Sequence, residues 1–314
     1  MIDLVPGIIL DNPCSGNVID FCPVRAPTET DFRFQCRVWY LTEHDSICPG
    51  CSRGCNISIH YNKRRTHKAG GRRVMRIKPR YHPEINEWWI CDRGRFGYRF
   101  IDEKRIEQPF SREEDELKAT DWDEALAKAA GLLAEAHKGS GIGVLLSPGQ
   151  TNEELAKARE LFLEKLNVKH FSFSDPWEKP GLEDDLLMKA DCNPNTRGAM
   201  DLGLEGDTRA ILNGAAEKKP GLLVIFGHEF ESPEAKELLA ETESIIYIGS
   251  NWNETAKQSD IVLPSAVYAE KDGSYTNFEG RRQEFRQAFL PLGESRNELD
   301  ILEELSGRIK EWKS

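Results

Sequence analysis

Hydrophobic residues in the second half of the chain recur with the spacing of an α-helix. Beyond residue 120, apolar side chains fall three or four positions apart and would share one helix face: Trp122, Ala125, Leu126, Ala129, Leu132, Leu133 and Ala136. Thr120 or Asp121 can cap the start of this helix with a side-chain oxygen. A second helix is predicted from about Asn152, and Ser232 followed by Pro233 predicts the start of a third.

Short apolar runs alternate with these helical segments and have the length of β-strands. They lie at residues 142–146, 170–173, 222–226, 245–248 and 261–263. Runs of this kind are typical of parallel strands that are buried on both faces of a sheet. The alternating order of strands and helices predicts a layered α/β domain with a mostly parallel sheet. The charged stretch at 111–118 is interpreted as a linker that leads into this domain.

The first third of the chain has a different pattern, in which short alternating segments are separated by turns. Residues 57–61 alternate as a strand should, Gly70 and Gly71 mark a turn, and residues 74–77 form a returning strand. A further strand-like run lies at 33–41. The pattern predicts a small domain built around a β-hairpin.

The composition is typical of a protein without membrane-spanning segments. The 314 residues are 39% hydrophobic and 30% charged, with a mean hydropathy of −0.56. No run of 18 or more apolar residues occurs, so no membrane insertion is expected. The N-terminus lacks the basic and apolar regions of a signal peptide. The eight cysteines are therefore expected to be reduced thiols in the cytoplasm.

Charge is divided unevenly along the chain. Residues 1–110 contain 18 Lys and Arg against 13 Asp and Glu, whereas residues 111–314 contain 24 against 40. The first part therefore carries +5 and the second −16, which gives the net charge of −11. The basic excess lies at 63–80, within the predicted hairpin. We interpret it as a charge that offsets a metal site, docks on an acidic partner or forms a solvated face, rather than as a nucleic-acid surface.

Four cysteines have a spacing that predicts a metal centre. Cys48, Cys51 and Cys55 are close enough to wrap one loop around a ligand, and Cys91 can close the cage from a distance. Four thiolates are what a [4Fe–4S] cluster requires, one for each iron. Cys₄ zinc is the main alternative, but structural zinc more often uses two paired C-x₂-C knuckles. The triplet plus a single cysteine favours the cluster.

The sequence around these cysteines resembles a known family. The triplet is followed by Asn-Glu-Trp-Trp-Ile-Cys-Asp-Arg-Gly-Arg at 86–95, and similar agreement occurs at 12–24, 31–39, 191–198 and 259–281. These segments resemble the molybdopterin oxidoreductase superfamily and, more narrowly, the large iron–sulfur subunit (the G subunit) of bacterial NADH:quinone oxidoreductase, complex I, in a shortened form. The resemblance extends over most of the chain.

The resemblance implies three regions and a role in electron transfer. Residues 1–47 would be the remnant of an upstream ferredoxin-like cluster domain, 48–110 the [4Fe–4S] domain, and 111–314 a shortened molybdopterin-oxidoreductase-like α/β domain. It implies an electron-transfer or structural subunit of complex I, or of a related NADH-dependent hydrogenase or bifurcating complex. The expected partners include an NADH- and flavin-binding subunit. The complex would be cytoplasmic, peripheral to the membrane, and no catalytic residue is expected in this chain.

Two departures from the superfamily pattern indicate that no molybdopterin is bound. Members that bind molybdenum have a lysine two residues after the fourth cysteine, where this sequence has Arg93. The chain is also much shorter than a complete molybdenum enzyme. Cys192 lies in a stretch that resembles the complex I subunit, which holds no metal there, so it is not expected to bind molybdenum. A formate-dehydrogenase-type molybdopterin enzyme fragment and a Cys₄-zinc scaffold remain the alternatives.

Cys22 is a candidate ligand of a second cluster. In the resembled subunit a cysteine in this setting completes a further [4Fe–4S] cluster, whose other three ligands lie about forty residues upstream. Only Cys14 precedes Cys22 in this sequence. The cluster would then be shared with a partner chain that carries the missing ligands, or else Cys22 is a vestige.

Overall fold

Two sheets of different construction organise the chain. The computed structural model describes residues 7, 9–24, 26–63, 70–173, 180–204, 206–213 and 220–310. Within these residues, one sheet has three antiparallel strands, a second has seven strands, and a third has two strands. Part of the predicted basic stretch, at 64–69, lies outside the described residues.

The three-stranded sheet forms the framework of the predicted cluster domain. Its elements and the two short helices beside it are α1 (Val18–Phe21), β1 (Thr42–Ile47), β2 (Asn56–Tyr61), β3 (Val74–Pro79) and α2 (Asp92–Phe96). β2 lies in the centre, paired antiparallel with both neighbours. It is buried along its whole length, with Ile57 and Ile59 in the core. The predicted hairpin of β2 and β3 is confirmed.

The seven-stranded sheet confirms the predicted α/β domain. Its strands in chain order are β4 (Phe110–Glu113), β5 (Glu116–Ala119), β6 (Ile142–Leu145), β7 (His170–Ser172), β8 (Leu222–Phe226), β9 (Ser244–Gly249) and β10 (Ile261–Pro264). In space the order is β5-β4-β10-β9-β8-β6-β7. The five strands from β10 to β7 are parallel to one another. All of β6, β8 and β10 is buried, as expected for strands covered on both faces.

Helices cover this sheet, and their ends are capped where the sequence indicated. They are α3 (Trp122–Lys138), α4 (Asn152–Ala158), α5 (Thr196–Asp201), α6 (Thr208–Asn213), α7 (Pro233–Ala240), α8 (Glu254–Gln258) and α9 (Glu298–Lys310). α4 continues as a π-helical turn. Asp121 caps α3 by accepting from the Glu124 N–H at 2.8 Å, and Ser232 caps α7. No helix in the described ranges is both long and apolar enough to cross a membrane.

Two predicted local structures were wrong. The charged stretch at 111–118 is not a linker, because it forms most of the β4–β5 hairpin, and β4 pairs with β10 at the sheet edge. Charged side chains suit such a solvent-facing edge. The run at 33–41 is not a strand either. It contains a 3₁₀ turn at Val38–Tyr40, where the Tyr40 N–H donates to the Arg37 carbonyl at 3.0 Å.

The C-terminal part of the chain returns to the cluster domain. Strands β11 (Gly273–Thr276) and β12 (Arg282–Phe285) form the two-stranded sheet between the regions. From β12, Gln283 accepts from the Asn56 side-chain amide and donates to the Gly54 carbonyl, both at 2.8 Å. Tyr275 and Phe285 belong to the same hydrophobic core as the cysteines. The two regions are therefore interlocked rather than joined by one connection.

Candidate metal centre

The three closely spaced cysteines lie in one loop between two strands. Cys48 directly follows β1, and Cys55 directly precedes β2. The backbone N–H of Cys48 donates to the carbonyl of Cys55 at 2.8 Å, which closes the loop. Gly54 has a φ of 66°, in the left-handed region that glycine adopts without strain. The loop thus holds Cys48, Cys51 and Cys55 at one end of the three-stranded sheet.

The fourth cysteine reaches this place from the start of a helix. Cys91 is the N-cap residue of α2, and its Sγ accepts from the Gly94 N–H at 3.4 Å. The same glycine lies against Cys48, so that a Cβ on Gly94 would be 3.1 Å from the Cys48 Sγ. The structure therefore brings together the four cysteines that the sequence predicted as ligands.

Burial makes these thiols unusual as free groups. Loss of hydration raises the pKa of Cys48 to about 12, and the nearby charges of Cys91 and Cys51 contribute to this rise. Burial also raises the pKa of Cys55 well above its ordinary value, and it raises the pKa of Cys91 as well. Burial and mutual repulsion therefore disfavour the thiolate form of these cysteines. A bound metal cation would stabilise that form, because the thiolate is the form that binds metal.

A backbone N–H group in the cysteine loop donates a hydrogen bond to one of the sulfurs. The N–H of Gly50 donates to the Cys48 Sγ at 3.4 Å, which is a suitable arrangement for a thiolate. Hydrogen bonds to the ligand sulfurs are one means by which proteins tune iron–sulfur clusters. Within the described ranges, no three His, Cys, Asp or Glu side chains are arranged to hold a single metal ion. The donor set itself, four thiols with backbone N–H donors, fits an iron–sulfur cluster.

Arg93 connects the cysteine site with Cys192. The Arg93 Nη1 donates to the Cys192 Sγ, and the guanidinium charge acts on Cys48 and Cys91, where it favours the thiolates. A Cβ on Gly181 would lie 2.5 Å from the Cys192 Sγ, so the sulfur is closely enclosed on that side. Arg93 thus lies between the candidate cluster and the α/β domain.

A cavity of about 230 Å³ lies where the cluster loop faces the large sheet. Its walls include residues directly after β8, β9 and β10 and shortly after β6, which are the carboxyl ends of parallel strands: Ser147, Gly227, Ser250 and Ser265. Pro49 and Cys192 also line it. Ligands of open α/β sheets bind at this edge, so the position is that of a binding site.

Buried charged residues form one wall of this cavity. Lys271 contacts Glu154 at 2.6 Å, and Gln150 donates to Glu298 at 2.7 Å. Loss of hydration, together with the charge of Glu154, raises the pKa of Glu298 to about 7. This network was missed from the sequence, because its members are far apart along the chain. The only local signal was the Thr151–Glu154 capping box that starts α4.

Cys22 lies outside the four-cysteine site, on the surface. It follows α1, is half-buried, and accepts from the Ala26 N–H at 3.4 Å. It lines a groove of about 280 Å³ together with Arg76 and Lys78 of β3. The structure therefore places Cys22 at an accessible position but does not bring it into the main site.

A buried arginine joins the Cys22 segment to the main site. Arg95 of α2 is 1% exposed and contacts Asp20 at 2.5 Å and Glu29 at 3.0 Å. Asp20 also contacts Lys78 at 2.8 Å. Since Arg95 lies four residues after Cys91, α2 positions both the fourth cysteine of the main site and the segment that carries Cys22. This ion-pair cluster was also missed from the sequence.

Comparison with known families assigns the two regions. Residues 41–103 match the molybdopterin oxidoreductase Fe4S4 domain, and residues 191–308 match the molybdopterin oxidoreductase domain. Acetylene hydratase from Pelobacter acetylenicus has a similar fold, with a TM-score of 0.53 and 11% identity over 85% of this chain and 69% of the hydratase. The two family matches show a molybdopterin oxidoreductase Fe4S4 domain followed by a molybdopterin oxidoreductase domain.

Within that superfamily, the chain is a relative of the complex I subunit that its sequence resembles. It is 26% identical to the NADH-quinone oxidoreductase G subunit of Rickettsia bellii, over 96% of this chain and 60% of the relative. It is 36% identical to NADH-quinone oxidoreductase subunit 3 of Thermus thermophilus, over 51% of this chain and 19% of the relative. It is 33% identical to the NADH-quinone oxidoreductase G subunit of Streptomyces coelicolor, over 70% of this chain and 25% of the relative. The chain thus spans 60% or less of the length of these relatives.

The cavity does not fit the pterin that the superfamily implies. Its volume of about 230 Å³ is below the roughly 300–1,000 Å³ that is usual for small-molecule pockets, and molybdopterin carries a phosphate besides its ring system. Among the described residues that line it, Lys271 is the basic one, and Glu154 already neutralises it. Glu298 adds a carboxyl group, which in its ionised form would repel the phosphate.

Proposed function

We propose that the chain is an iron–sulfur subunit of an NADH-linked oxidoreductase, with one [4Fe–4S] cluster bound by Cys48, Cys51, Cys55 and Cys91. The observation that carries this proposal is the meeting of these four thiols, three of them buried, at one end of the matched Fe4S4 domain. A bound cluster would accept and release single electrons. The protein side chains would hold it, exclude water and balance its charge.

The residues around the site have distinct roles in this proposal. The loop after β1 supplies three ligands, and the start of α2 supplies the fourth. The N–H groups of Gly50 and Gly94 donate to the sulfurs of Cys48 and Cys91 and would stabilise them as thiolates. Arg93 adds positive charge on the side of the α/β domain. Residues 1–47 would be the remnant of an upstream ferredoxin-like cluster domain, 48–110 the [4Fe–4S] domain and 111–314 the shortened molybdopterin-oxidoreductase-like α/β domain.

Metal analysis of the anaerobically purified chain tests the cluster. We expect about four irons and four sulfides per chain, with Cys51→Ser losing most of both. Cys36→Ser is the matched control, because Cys36 is also half-buried, and its thiol accepts from Asn62 at 3.6 Å and donates to the Arg37 carbonyl at 3.4 Å, away from the four-cysteine site. A result of one zinc and no sulfide per chain would favour the Cys₄-zinc scaffold over the cluster. Full iron in Cys51→Ser would contradict the ligand assignment.

The complex and its location are part of the same proposal. The homologues are named as subunits of NADH-quinone oxidoreductase, so the partners would include an NADH- and flavin-binding subunit of a cytoplasmic, membrane-peripheral complex. A hydrogenase or bifurcating complex of related construction would use the same subunit. Anaerobic purification of a tagged chain from its host tests this: NADH should reduce its cluster in the intact complex, and the isolated chain should not respond.

The absence of molybdopterin is proposed from the cavity. The volume and the carboxylates described above support a space that takes no pterin. Mass spectrometry of the denatured chain for pterin, with elemental analysis for molybdenum and tungsten, tests this directly. Stoichiometric pterin would favour the formate-dehydrogenase-type alternative instead.

We further propose that Cys22 completes a second [4Fe–4S] cluster whose other ligands come from outside the residues described here. Its support is positional: the thiol lies at the surface, in a groove, on a segment that Arg95 fixes to the main cluster domain. Cys22→Ser should remove one cluster's EPR signal from the intact complex, while the isolated chain keeps its iron. If every signal remains, Cys22 is a vestige.

A further inference from the structure

The turn between β11 and β12 is attached to the cysteine loop. The backbone N–H of Phe278, in this turn, donates to the Ser52 carbonyl at 2.9 Å. The side chain of Gln283, at the start of β12, donates to the Gly54 carbonyl at 2.8 Å. Ser52 directly follows the second cysteine of the loop, and Gly54 directly precedes the third. The turn is therefore fixed to both ends of the segment that joins these two cysteines.

The first residue of this turn, Asn277, is buried against the loop with its amide group in a defined orientation. It is 1% exposed, and a Cβ on Gly54 would lie 3.5 Å from the Asn277 Cβ. Its Oδ1 accepts from the backbone N–H of Glu279 at 3.1 Å and from that of Arg281 at 2.9 Å. Only the oxygen of an amide accepts from N–H groups, so these two bonds establish which atom is Nδ2.

The Nδ2 of Asn277 is a buried donor that has no hydrogen-bond partner among the described residues. Buried amide groups are nearly always paired, because they have lost water and gain nothing in exchange. Asn195 illustrates this nearby: it donates to the Gln150 carbonyl at 2.9 Å and accepts from the Thr276 N–H, at the end of β11, at 2.7 Å. The orphaned donor of Asn277 therefore indicates an acceptor that belongs to a bound group.

Sulfur is the acceptor that the surroundings indicate. The N–H groups of Gly50 and Gly94 donate to the sulfurs of Cys48 and Cys91, the first and fourth cysteines of the site. Asn277 lies on the opposite side, against the segment between the second and third cysteines. A bound cluster would place both thiolate and sulfide sulfurs there, and hydrogen bonds to these sulfurs are one means by which proteins tune such clusters.

We propose that the side-chain amide of Asn277 donates a hydrogen bond to a sulfur of the cluster, on the side of Cys51 and Cys55. The inference rests on the proposed [4Fe–4S] cluster and deepens it by naming a residue that sets its reduction potential. The N–H dipole offsets the negative charge that an added electron places on the sulfurs. The hydrogen bond therefore favours the reduced cluster and raises its potential.

The direct test looks for the hydrogen bond itself. The full chain is labelled with ¹⁵N in its asparagine side chains, purified anaerobically, reduced with dithionite and studied by pulsed EPR. We expect an isotropic ¹⁵N hyperfine coupling, which is lost in Asn277→Asp because this change removes the N–H donor and keeps the oxygen that the turn needs. Asn195→Asp is the matched control: it also places a carboxyl group at a buried asparagine close to β11, and it should retain the coupling.

The reduction potential gives a second measurement on the same proteins. Asn277→Asp should shift the equilibrium between the two cluster states at least about tenfold toward the oxidised form, which is about 59 mV for one electron. Asn195→Asp should shift it less, because it adds a carboxyl group without removing a donor to sulfur. Iron and sulfide content should stay at the wild-type level in both variants. Equal shifts would contradict a role of the Asn277 amide.

The outcomes separate this inference from the proposed function. If the wild-type chain contains the cluster but shows no ¹⁵N coupling, a trapped water satisfies the amide, and the inference is wrong while the function stands. This result does not depend on whether any variant folds. A coupling that survives in Asn277→Asp would also overturn the inference. If the chain binds zinc and no iron, the function is wrong, and cobalt substitution then tests the donor. A shifted thiolate-to-cobalt absorption band in Asn277→Asp alone would support the donor, and identical bands in all three proteins would overturn it.

Discussion

The two regions of the molecule are stabilised in different ways. The α/β region has a core of aliphatic and aromatic side chains on both faces of a sheet, with Val144 and Phe162 fully buried. The core of the cluster region includes Cys48, Cys55 and Cys91 among its buried residues. Apolar burial stabilises the first region without any bound group, whereas we expect the second region to gain much of its stability from a metal group bound by its thiols.

The buried charges of the two regions also differ in their balance. In the cluster region, Arg95 faces two carboxylates, and one of them also meets Lys78, so opposite charges are equal. In the cavity wall of the α/β region, Lys271 contacts Glu154, and Glu298 adds a second carboxylate close by. The first arrangement holds a segment in position, whereas the second makes the region sensitive to pH.

Metal removal should produce the largest difference in stability between the two regions. Chelation of the bound metal should unfold the cluster region, because binding free energy there is folding free energy, on the order of 10 kcal/mol by analogy with structural zinc. Hydrogen exchange should show that β1 to β3 lose protection while β8 and β9 retain it. Unchanged protection in β2 after complete metal loss would contradict the dependence on metal.

A core truncation should affect the other region alone. Phe162→Ala removes a fully buried ring that lies 6.1 Å from that of Phe226, and should lower the free energy of unfolding by about 3–5 kcal/mol. Iron content should stay at the wild-type level, since the ring belongs to the α/β core. Denaturant unfolding and iron analysis of the same sample measure both. Loss of iron together with stability would show that the regions unfold as one unit.

The regions differ as well in how far the sequence could predict them. The strands β6, β8 and β10 were predictable, because burial on both faces demands continuous apolar runs. The grouping of the cysteines was predictable from spacing, because three of them share one loop. The ion pair of Glu154 and Lys271 was not, since nothing in a local pattern relates carboxylates and amines that lie 117 residues apart.

The connection between the regions was the least predictable feature. The sequence predicted a boundary near residue 110, and β4, which begins at Phe110, belongs to the large sheet. Gln283 was unremarkable in the sequence, yet it bonds to Gly54 beside the cysteine loop. Such contacts depend on where a distant strand returns, which only the three-dimensional fold determines.

Removal of the buried arginine should sharpen the contrast in charge balance. Arg95→Met leaves Asp20 and Glu29 without their buried partner, and should lower stability by about 3 kcal/mol. Hydrogen exchange should increase in α1 and the described residues up to 29, because this segment would be released. Arg99→Met is the control, since Arg99 pairs with Asp31 in a more exposed position and should have little effect. Equal effects of both changes would show that burial of Arg95 is unimportant.

The second carboxylate should give the α/β region a small pH dependence of its own. The pKa of Glu298 is raised to about 7 by loss of hydration and by Glu154, so the folded state holds a proton that the unfolded state releases near its ordinary pKa. This contribution to the free energy of unfolding is present at low pH and is lost as pH rises through about 7. The loss between about pH 6 and about pH 8 is roughly 1.4 kcal/mol. Glu298→Gln should remove this decline, as measured by denaturant unfolding of both proteins across that range. Parallel stability curves for the two proteins would show that Glu298 does not take up the proton.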